Sequence, residues 1–271
     1  MAAQERSYEL FVPNDLSQPA PLLIVLHGAG GSGARIQRWL GLDALAESAG
    51  MIVVYPDGLE HAWDFGGGIP TADGRIEVDD VGFLVGLVDD LADQYAIDRT
   101  RVFAAGMSNG GLMAYRLACA APDTFAAIAV VAAPLYYHAA LECSEKPVSV
   151  LYIHGTADPI LPWERNTIAS GRPISLSAIE TFTFWAQHND CDQDALVSDM
   201  LPDVVEDDNS QVSHLALIDC AAGTEVQFYG IVGGGHTWPG HAFDIEMALG
   251  PLNMDIDASA VIVNWLLSLG Q

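Results

Sequence analysis

With 271 residues, 51% of them hydrophobic, the chain has enough apolar side chain for a large core, and an α/β sheet of this size forms one unit. Acidic residues outnumber basic ones 36 to 10, giving a formal charge of −26 at pH 7 that repels nucleic acid and anionic membrane and argues against both as partners. No apolar run approaches the roughly 18 residues needed to span a bilayer.

Such acidity fits a soluble exported protein or one adapted to salt, where repulsion is screened. The opening Met-Ala-Ala-Gln-Glu-Arg lacks the basic-then-apolar pattern of a leader, so the chain reads as lacking one, whether by trimming or by residence in the cytoplasm. The four cysteines, Cys119, Cys143, Cys191 and Cys220, contain no Cys-x-x-Cys pair, so neither a zinc site nor a redox motif is expected. They read as buried thiols or as two disulfides. In the second case 119–143 and 191–220 are the simplest pairs, one bracketing the segment 126–132 and the other flanking the late strands. No metal or cofactor is implied, and oligomeric state has no signature.

In chain order, residues 7–12 read as a strand closed by Pro13 and Asn14. The apolar run 22–26 suits a strand buried on both faces. A glycine-rich turn over 28–33 leads into a helix over 34–48, with Trp39, Leu42 and Leu45 on one side, and 51–55 is the next strand. Val81, Leu84, Val85, Val88 and Leu91 recur at the spacing of one helical face across 78–95. Asp79, Asp80, Asp89 and Asp90 fall outside that stripe and are expected in solvent. Strand 102–107 runs into helix 110–120, and 126–132 and 148–153 are further buried strands. The connection 160–173, holding Pro162, Trp163 and Pro173, is a candidate cap. Helix 175–188 carries Ile179, Phe182 and Trp185, while 203–210 is an acidic exposed loop. Strands over 214–218 and 225–231 are placed to pair, and a helix over 258–269 closes the chain. This alternation predicts a mostly parallel, twisted sheet covered by helices on both faces.

The chemistry gathers at strand ends, where parallel sheets hold their functional groups. Gly106-Met107-Ser108-Asn109-Gly110 joins strand 102–107 to its helix, with small residues on both sides of a serine at a sharp bend, the setting of an exposed nucleophile. Strand 148–153 ends in His154-Gly155-Thr156-Ala157-Asp158, and strand 225–231 in Gly233-Gly234-Gly235-His236-Thr237-Trp238. Ser108, Asp158 and His236 follow one another as nucleophile, acid and base. A serine hydroxyl needs an imidazole to take its proton, and the imidazole needs a carboxylate to fix its tautomer and stabilise its cation. His27 and His154 follow strands and precede glycine, so they read as turn-holding residues. His61, His138, His188 and His214 have no place in the order, and His241 is the rival base. Asp203 and Asp207 are less well placed as the acid. Backbone N–H groups of Ala29, in the turn after strand 22–26, and Asn109 are the candidate oxyanion donors. Trp63 and Trp238 are candidate substrate-flanking residues, with core packing as the alternative.

Together with Tyr55-Pro56-Asp57-Gly58 and Val78-Asp79-Asp80-Val81-Gly82-Phe83, these motifs make the chain similar to the polyhydroxybutyrate depolymerase and feruloyl esterase group of α/β-hydrolases, often placed with carbohydrate esterase family 1. The resemblance spans most of the chain. It implies a single α/β-hydrolase domain over 1–271 and cofactor-free hydrolysis of carboxylic esters through Ser108, His236 and Asp158, usually after export. The ester partner, small or polymeric, lies among feruloyl or acetyl polysaccharide esters, hydroxyalkanoate oligomers and synthetic polyesters. Glycines stand near Trp63 where exported members often have cysteines, and only one strand precedes 22–26, so one edge strand is expected to be missing. A serine peptidase on the same fold and a non-catalytic binding protein on a hydrolase scaffold are the alternatives.

Overall fold

Leu22, Ile24 and Leu26 belong to one hydrophobic core, and Leu23 and Val25 to another, because successive side chains of a strand point to opposite faces. All five are fully buried, as in a strand covered on both sides. In the computed structural model, which describes residues 5–16, 18–72, 74–168, 170–243 and 249–269, this segment is the strand β2 (Ala20–Leu26) of a nine-stranded sheet. The reading of the first four residues lies outside the described ones.

The chain opens with β1 (Tyr8–Phe11), then passes through β2, α1 (Gly33–Leu40), α2 (Leu42–Ala49) and β3 (Ile52–Pro56). A hairpin of β4 (Ile69–Thr71) and β5 (Gly74–Ile76) precedes α3 (Asp80–Gln94), β6 (Ile97–Met107) and α4 (Asn109–Ala120). Next come β7 (Ala127–Val131), the short α5 (Tyr137–Leu141), β8 (Ser149–Gly155) and α6 (Ala178–His188). The chain ends with β9 (Val197–Met200), β10 (Gln211–Leu217), β11 (Val226–Val232) and α7 (Ala258–Ser268). The sheet order is β1-β3-β2-β6-β7-β8-β11-β10-β9. The six strands from β3 to β11 in that order are parallel to one another, β1 pairs antiparallel at one edge, and β10 and β9 extend the other edge by antiparallel pairing. One strand precedes β2 among the described residues, as expected.

Helices α3, α4 and α6 cover the face of Leu22 and Ile24, and α1, α2 and α7 cover the other. Truncating one of these fully buried leucines to alanine costs about 2–5 kcal/mol. The expected helix over 34–48 is two helices, because Gly41 takes a left-handed φ of 61° and ends α1 before α2 begins. Helix α6 begins at Ala178, after Ser177 and Glu180 form a reciprocal capping box. Asp79 caps α3 through Gly82 N–H, but Asp80 is not in solvent: it is wholly buried, paired with Arg6 and accepting from Asp64 N–H at 2.7 Å. Burial of a lone carboxylate is costly, and Arg6 supplies the compensating charge. Cys119–Cys143 and Cys191–Cys220 are disulfides.

Candidate active site

Ser108 stands between the end of β6 and the start of α4 with φ 56° and ψ −122°. A positive φ outside glycine stores of order 1–3 kcal/mol and persists where its surroundings over-determine it. Here Ser108 N–H donates to Val131 O at 3.0 Å and its carbonyl accepts from Leu112 N–H at 2.9 Å. The bend brings backbone against backbone. A methyl group on Gly110 would strike the Leu26 carbonyl, and one on Gly106 would strike the carbonyl of Gly110. Although Ser108 occupies the N-cap position of α4, its hydroxyl makes no cap bond.

The expected acid and base come from the ends of neighbouring parallel strands. Their loops are laced together, with Ala157 N–H donating to Gly234 O at 2.9 Å and Gly233 N–H to Thr156 Oγ1 at 2.8 Å. Asp158 Oδ2 lies 2.7 Å from His236 Nδ1, while Oδ1 accepts from Ile160 and Leu161 N–H, each at 2.8 Å. Both side chains are buried. With Nδ1 committed to Asp158, Nε2 is the nitrogen left to act on a hydroxyl. His241, the rival base, is tied up elsewhere, its Nδ1 on Trp39 O and its Nε2 on Asp257.

The turn after β2 runs beside Ser108; a Cβ added to Gly28 would lie 3.5 Å from Ser108 Cβ. A second segment braces it. His27 Nε2 accepts from Gly58 N–H, Gly30 N–H donates to His61 O, and the Trp63 indole N–H donates to His27 O, at 3.0, 2.8 and 3.0 Å. Asp57 extends the brace through Gly33 N–H and the Ser7 hydroxyl. The motif Tyr55-Pro56-Asp57-Gly58 thus holds the turn that contains Ala29. Asn109, the first residue of α4, has one of the N–H groups that a helix leaves without an intrahelical partner.

A cavity of about 400 Å³ opens here, lined by Ser108, His236, Ala29 and the apolar Ile36, Trp39, Met107 and Ile160 among others. Part of its wall comes from α1 and from Phe243 and Leu249. Among the described residues of the expected cap 160–173, only Ile160 reaches it, while Trp163 packs on Phe228 with ring centroids 5.5 Å apart. Trp63 and Trp238 need correction. They are 1% and 0% exposed, and neither lines the cavity. Each indole N–H has an internal acceptor, His27 O for Trp63 and Ser259 Oγ at 3.1 Å for Trp238, so both are core residues that brace the site.

Behind Asp158 sits His154, with Nε2 2.9 Å from Leu161 O and 3.7 Å from Asp158 Oδ2, and Nδ1 2.8 Å from the Tyr152 hydroxyl. Burial lowers its pKa to about 4, so it is neutral at pH 7. Burial likewise lowers that of His27, consistent with its acceptance of Gly58 N–H. Among the described residues no group of three or more His, Cys, Asp or Glu side chains is arranged to hold a metal.

A mostly parallel sheet with helices on both faces, bearing a serine on a strained strand-to-helix turn, is an α/β-hydrolase. Solved structures agree in fold: acetyl xylan esterase from Aspergillus awamori superposes with a TM-score of 0.59 at 19% identity over 86% of this chain and 89% of that one. Esterase PE8 gives 0.56 at 16% identity over 98% and 100%. In sequence, the chain is 32% identical to a putative esterase, NocK, of Nocardia uniformis subsp. tsuyamanensis, over 98% of this chain and 80% of that protein. Feruloyl esterase C of Emericella nidulans is 34% identical over 58% of this chain and 56% of its own length, so that match spans little more than half of the fungal enzyme. The model of the esterase PHB depolymerase family matches residues 6–161. The chain belongs to that family and is a carboxylic-ester hydrolase.

Proposed function

We propose that Ser108 is the nucleophile of this hydrolase, His236 its general base and acid, and Asp158 the carboxylate that orients the imidazole. Ser108 Oγ attacks the ester carbonyl carbon as His236 Nε2 takes the hydroxyl proton. The carbonyl oxygen becomes an oxyanion facing the N–H groups of Ala29 and Asn109. Collapse breaks the bond to the alcohol, which leaves with the proton from His236, and a water deprotonated by the same nitrogen then hydrolyses the acyl-enzyme. Losing one oxyanion donor typically raises the barrier by roughly 3–4 kcal/mol.

The observation that carries this reading is the 2.7 Å contact of His236 Nδ1 with Asp158 Oδ2 at the wall of the cavity that Ser108 also lines. That cavity, about 400 Å³ and largely apolar, suits a short acyl or an aryl group. The candidate substrates are feruloyl or acetyl polysaccharide esters and hydroxyalkanoate oligomers. The names of relatives, feruloyl esterase C and a bifunctional acetylxylan esterase/xylanase of Neocallimastix patriciarum, support the first group, and the family description the second. Two disulfides favour an oxidising compartment outside the cytoplasm.

The test is fluorophosphonate labelling followed by peptide mapping, with a panel of 4-nitrophenyl acyl esters, methyl ferulate, acetylxylan and hydroxybutyrate oligomers. The adduct is expected on Ser108 and absent from Ser108→Ala. An adduct elsewhere, or none on protein that hydrolyses the panel, contradicts the assignment.

A further inference from the structure

The chain has ten basic residues, and nearly all have an assigned partner or lie in solvent. Arg6, Arg99, Arg101, Arg116, Lys146 and Arg165 pair with carboxylates. Arg75 donates to the Gly67 and Gly68 carbonyls, and Arg38 and Arg172 are exposed. Arg35 differs. It is half-buried, lines the same cavity as Ser108 and His236, and has no anionic partner among the described residues. Among the described residues, four of the ten basic side chains have no carboxylate partner, and of these four Arg35 is the one that lines the cavity.

Its geometry suits an anion from outside. Arg35 and Trp39 lie one turn apart on α1, with the guanidinium carbon 4.8 Å from the indole centroid. A position over the ring face leaves the guanidinium N–H groups unconsumed, a fork matched to a carboxylate. The neighbouring walls, Ile36, Met107, Phe243 and Leu249, are apolar, and a charge pair strengthens where water is scarce. The net charge of −26 repels anions, so a carboxylate that enters the cavity is drawn to Arg35, the one Arg or Lys among the described lining residues.

We propose that Arg35 is a specificity-determining residue that binds a free carboxylate on the substrate, so that the enzyme favours monoanionic esters over neutral esters of the same length. Half-esters of dicarboxylic acids carry that group on the acyl side, and short oligoesters of hydroxy acids carry it on the alcohol side. The proposal rests on Ser108 as the reacting centre and narrows the substrate class of that site.

Two matched pairs test it by kcat/KM. Mono-4-nitrophenyl glutarate against 4-nitrophenyl pentanoate places the carboxylate on the acyl side, and 3-(butanoyloxy)butanoate against its amide places it on the alcohol side. Wild type is expected to favour the charged member of at least one pair by about tenfold, the scale of a hydrogen-bonded charge contact. Arg35→Gln erases that ratio, whereas Arg38→Gln, which removes the same charge one turn away on the exposed side, keeps it. Equal rates within both pairs, a ratio that survives Arg35→Gln, or one lost equally with Arg38→Gln overturns the proposal. A binding arm separates it from the nucleophile assignment: Ser108→Ala is titrated calorimetrically with monomethyl and dimethyl glutarate. Tighter binding of the monoanion, abolished by adding Arg35→Gln, supports Arg35 even if turnover runs through another serine. Equal binding of the two counts against Arg35 even if Ser108 is the nucleophile.

Discussion

The side-chain amide of Asn109 clamps the backbone of Trp63: the Trp63 N–H donates to Oδ1 at 2.7 Å, and Nδ2 donates to the Trp63 carbonyl at 3.1 Å. The residue after the proposed nucleophile therefore locks the segment whose indole, through His27 O, holds the turn of Ala29. One side chain couples the two proposed oxyanion donors.

Asn109→Ala removes both bonds and is expected to lower stability by roughly 1–3 kcal/mol, the cost of leaving part-buried backbone groups unpaired. Asn109→Asp keeps the acceptor for Trp63 N–H but loses the donor and brings a negative charge beside the developing oxyanion. It is expected to reduce kcat/KM more than Asn109→Ala while destabilising less. Urea unfolding and ester kinetics on the two variants check this, and an aspartate variant as active as wild type contradicts it.

His154 predicts a pH dependence of stability. Its folded pKa is lowered from 6.5 to about 4 by burial. Between those values the unfolded chain binds a proton that the folded chain does not, so this group's contribution is present above about pH 6.5 and is lost as pH falls toward 4. The whole span amounts to roughly 3 kcal/mol, at about 1.4 kcal/mol per unit. His154→Gln, which offers an amide donor to Leu161 O, is expected to flatten this part of the curve. Denaturant titrations from pH 7 to 4 compare the slopes, and parallel curves contradict the assignment.

The two disulfides join cysteines 24 and 29 residues apart. Each is expected to stabilise by about 3.5 kcal/mol through restriction of the unfolded chain. Thiol reductant, or Cys191→Ser with Cys220→Ser, is expected to lower the melting temperature, with intact mass confirming the redox state. An unchanged melting temperature after verified reduction contradicts this.

Strand β2, the serine turn and the loops of Asp158 and His236 were legible in the sequence because each depends on local pattern, an apolar run or a small-residue bend at a strand end. The partner of Asp80 was not, since Arg6 lies 74 residues away and the helical period alone puts that aspartate outside the apolar stripe. Trp63 and Trp238 mislead for a related reason: an indole beside a catalytic motif looks substrate-facing until its N–H is seen on an internal acceptor. Gly41 was a visible signal for the break between α1 and α2 that the surrounding apolar spacing masks. Edge strand β9 is exposed along its whole length, so it has no alternation to read. The role of Asn109's side chain depends on a contact 46 residues distant, beyond any local motif.

The formal charge of −26 predicts a response to salt. Repulsion among carboxylates opposes compaction at low ionic strength, and at about 1 M the Debye length shrinks to about 3 Å. The melting temperature is expected to rise with sodium chloride, a salt preferable to sulfate because sulfate also strengthens apolar burial. A flat or falling curve would mean the acidic residues are too dispersed to repel measurably.

The central claim is that Ser108, His236 and Asp158 act as one unit, and a double-mutant cycle on hydrolysis of a 4-nitrophenyl ester tests it most directly. Ser108→Ala and His236→Ala are each expected to abolish nearly all turnover, and the double variant to be no worse than either alone, because removing one member already disables the unit. Asp158→Asn is expected to fold normally and to lose up to about 10⁴-fold in kcat through the wrong imidazole tautomer. Ser108→Ala retaining more than a few per cent of wild-type activity, or losses that multiply in the double variant, would contradict the account.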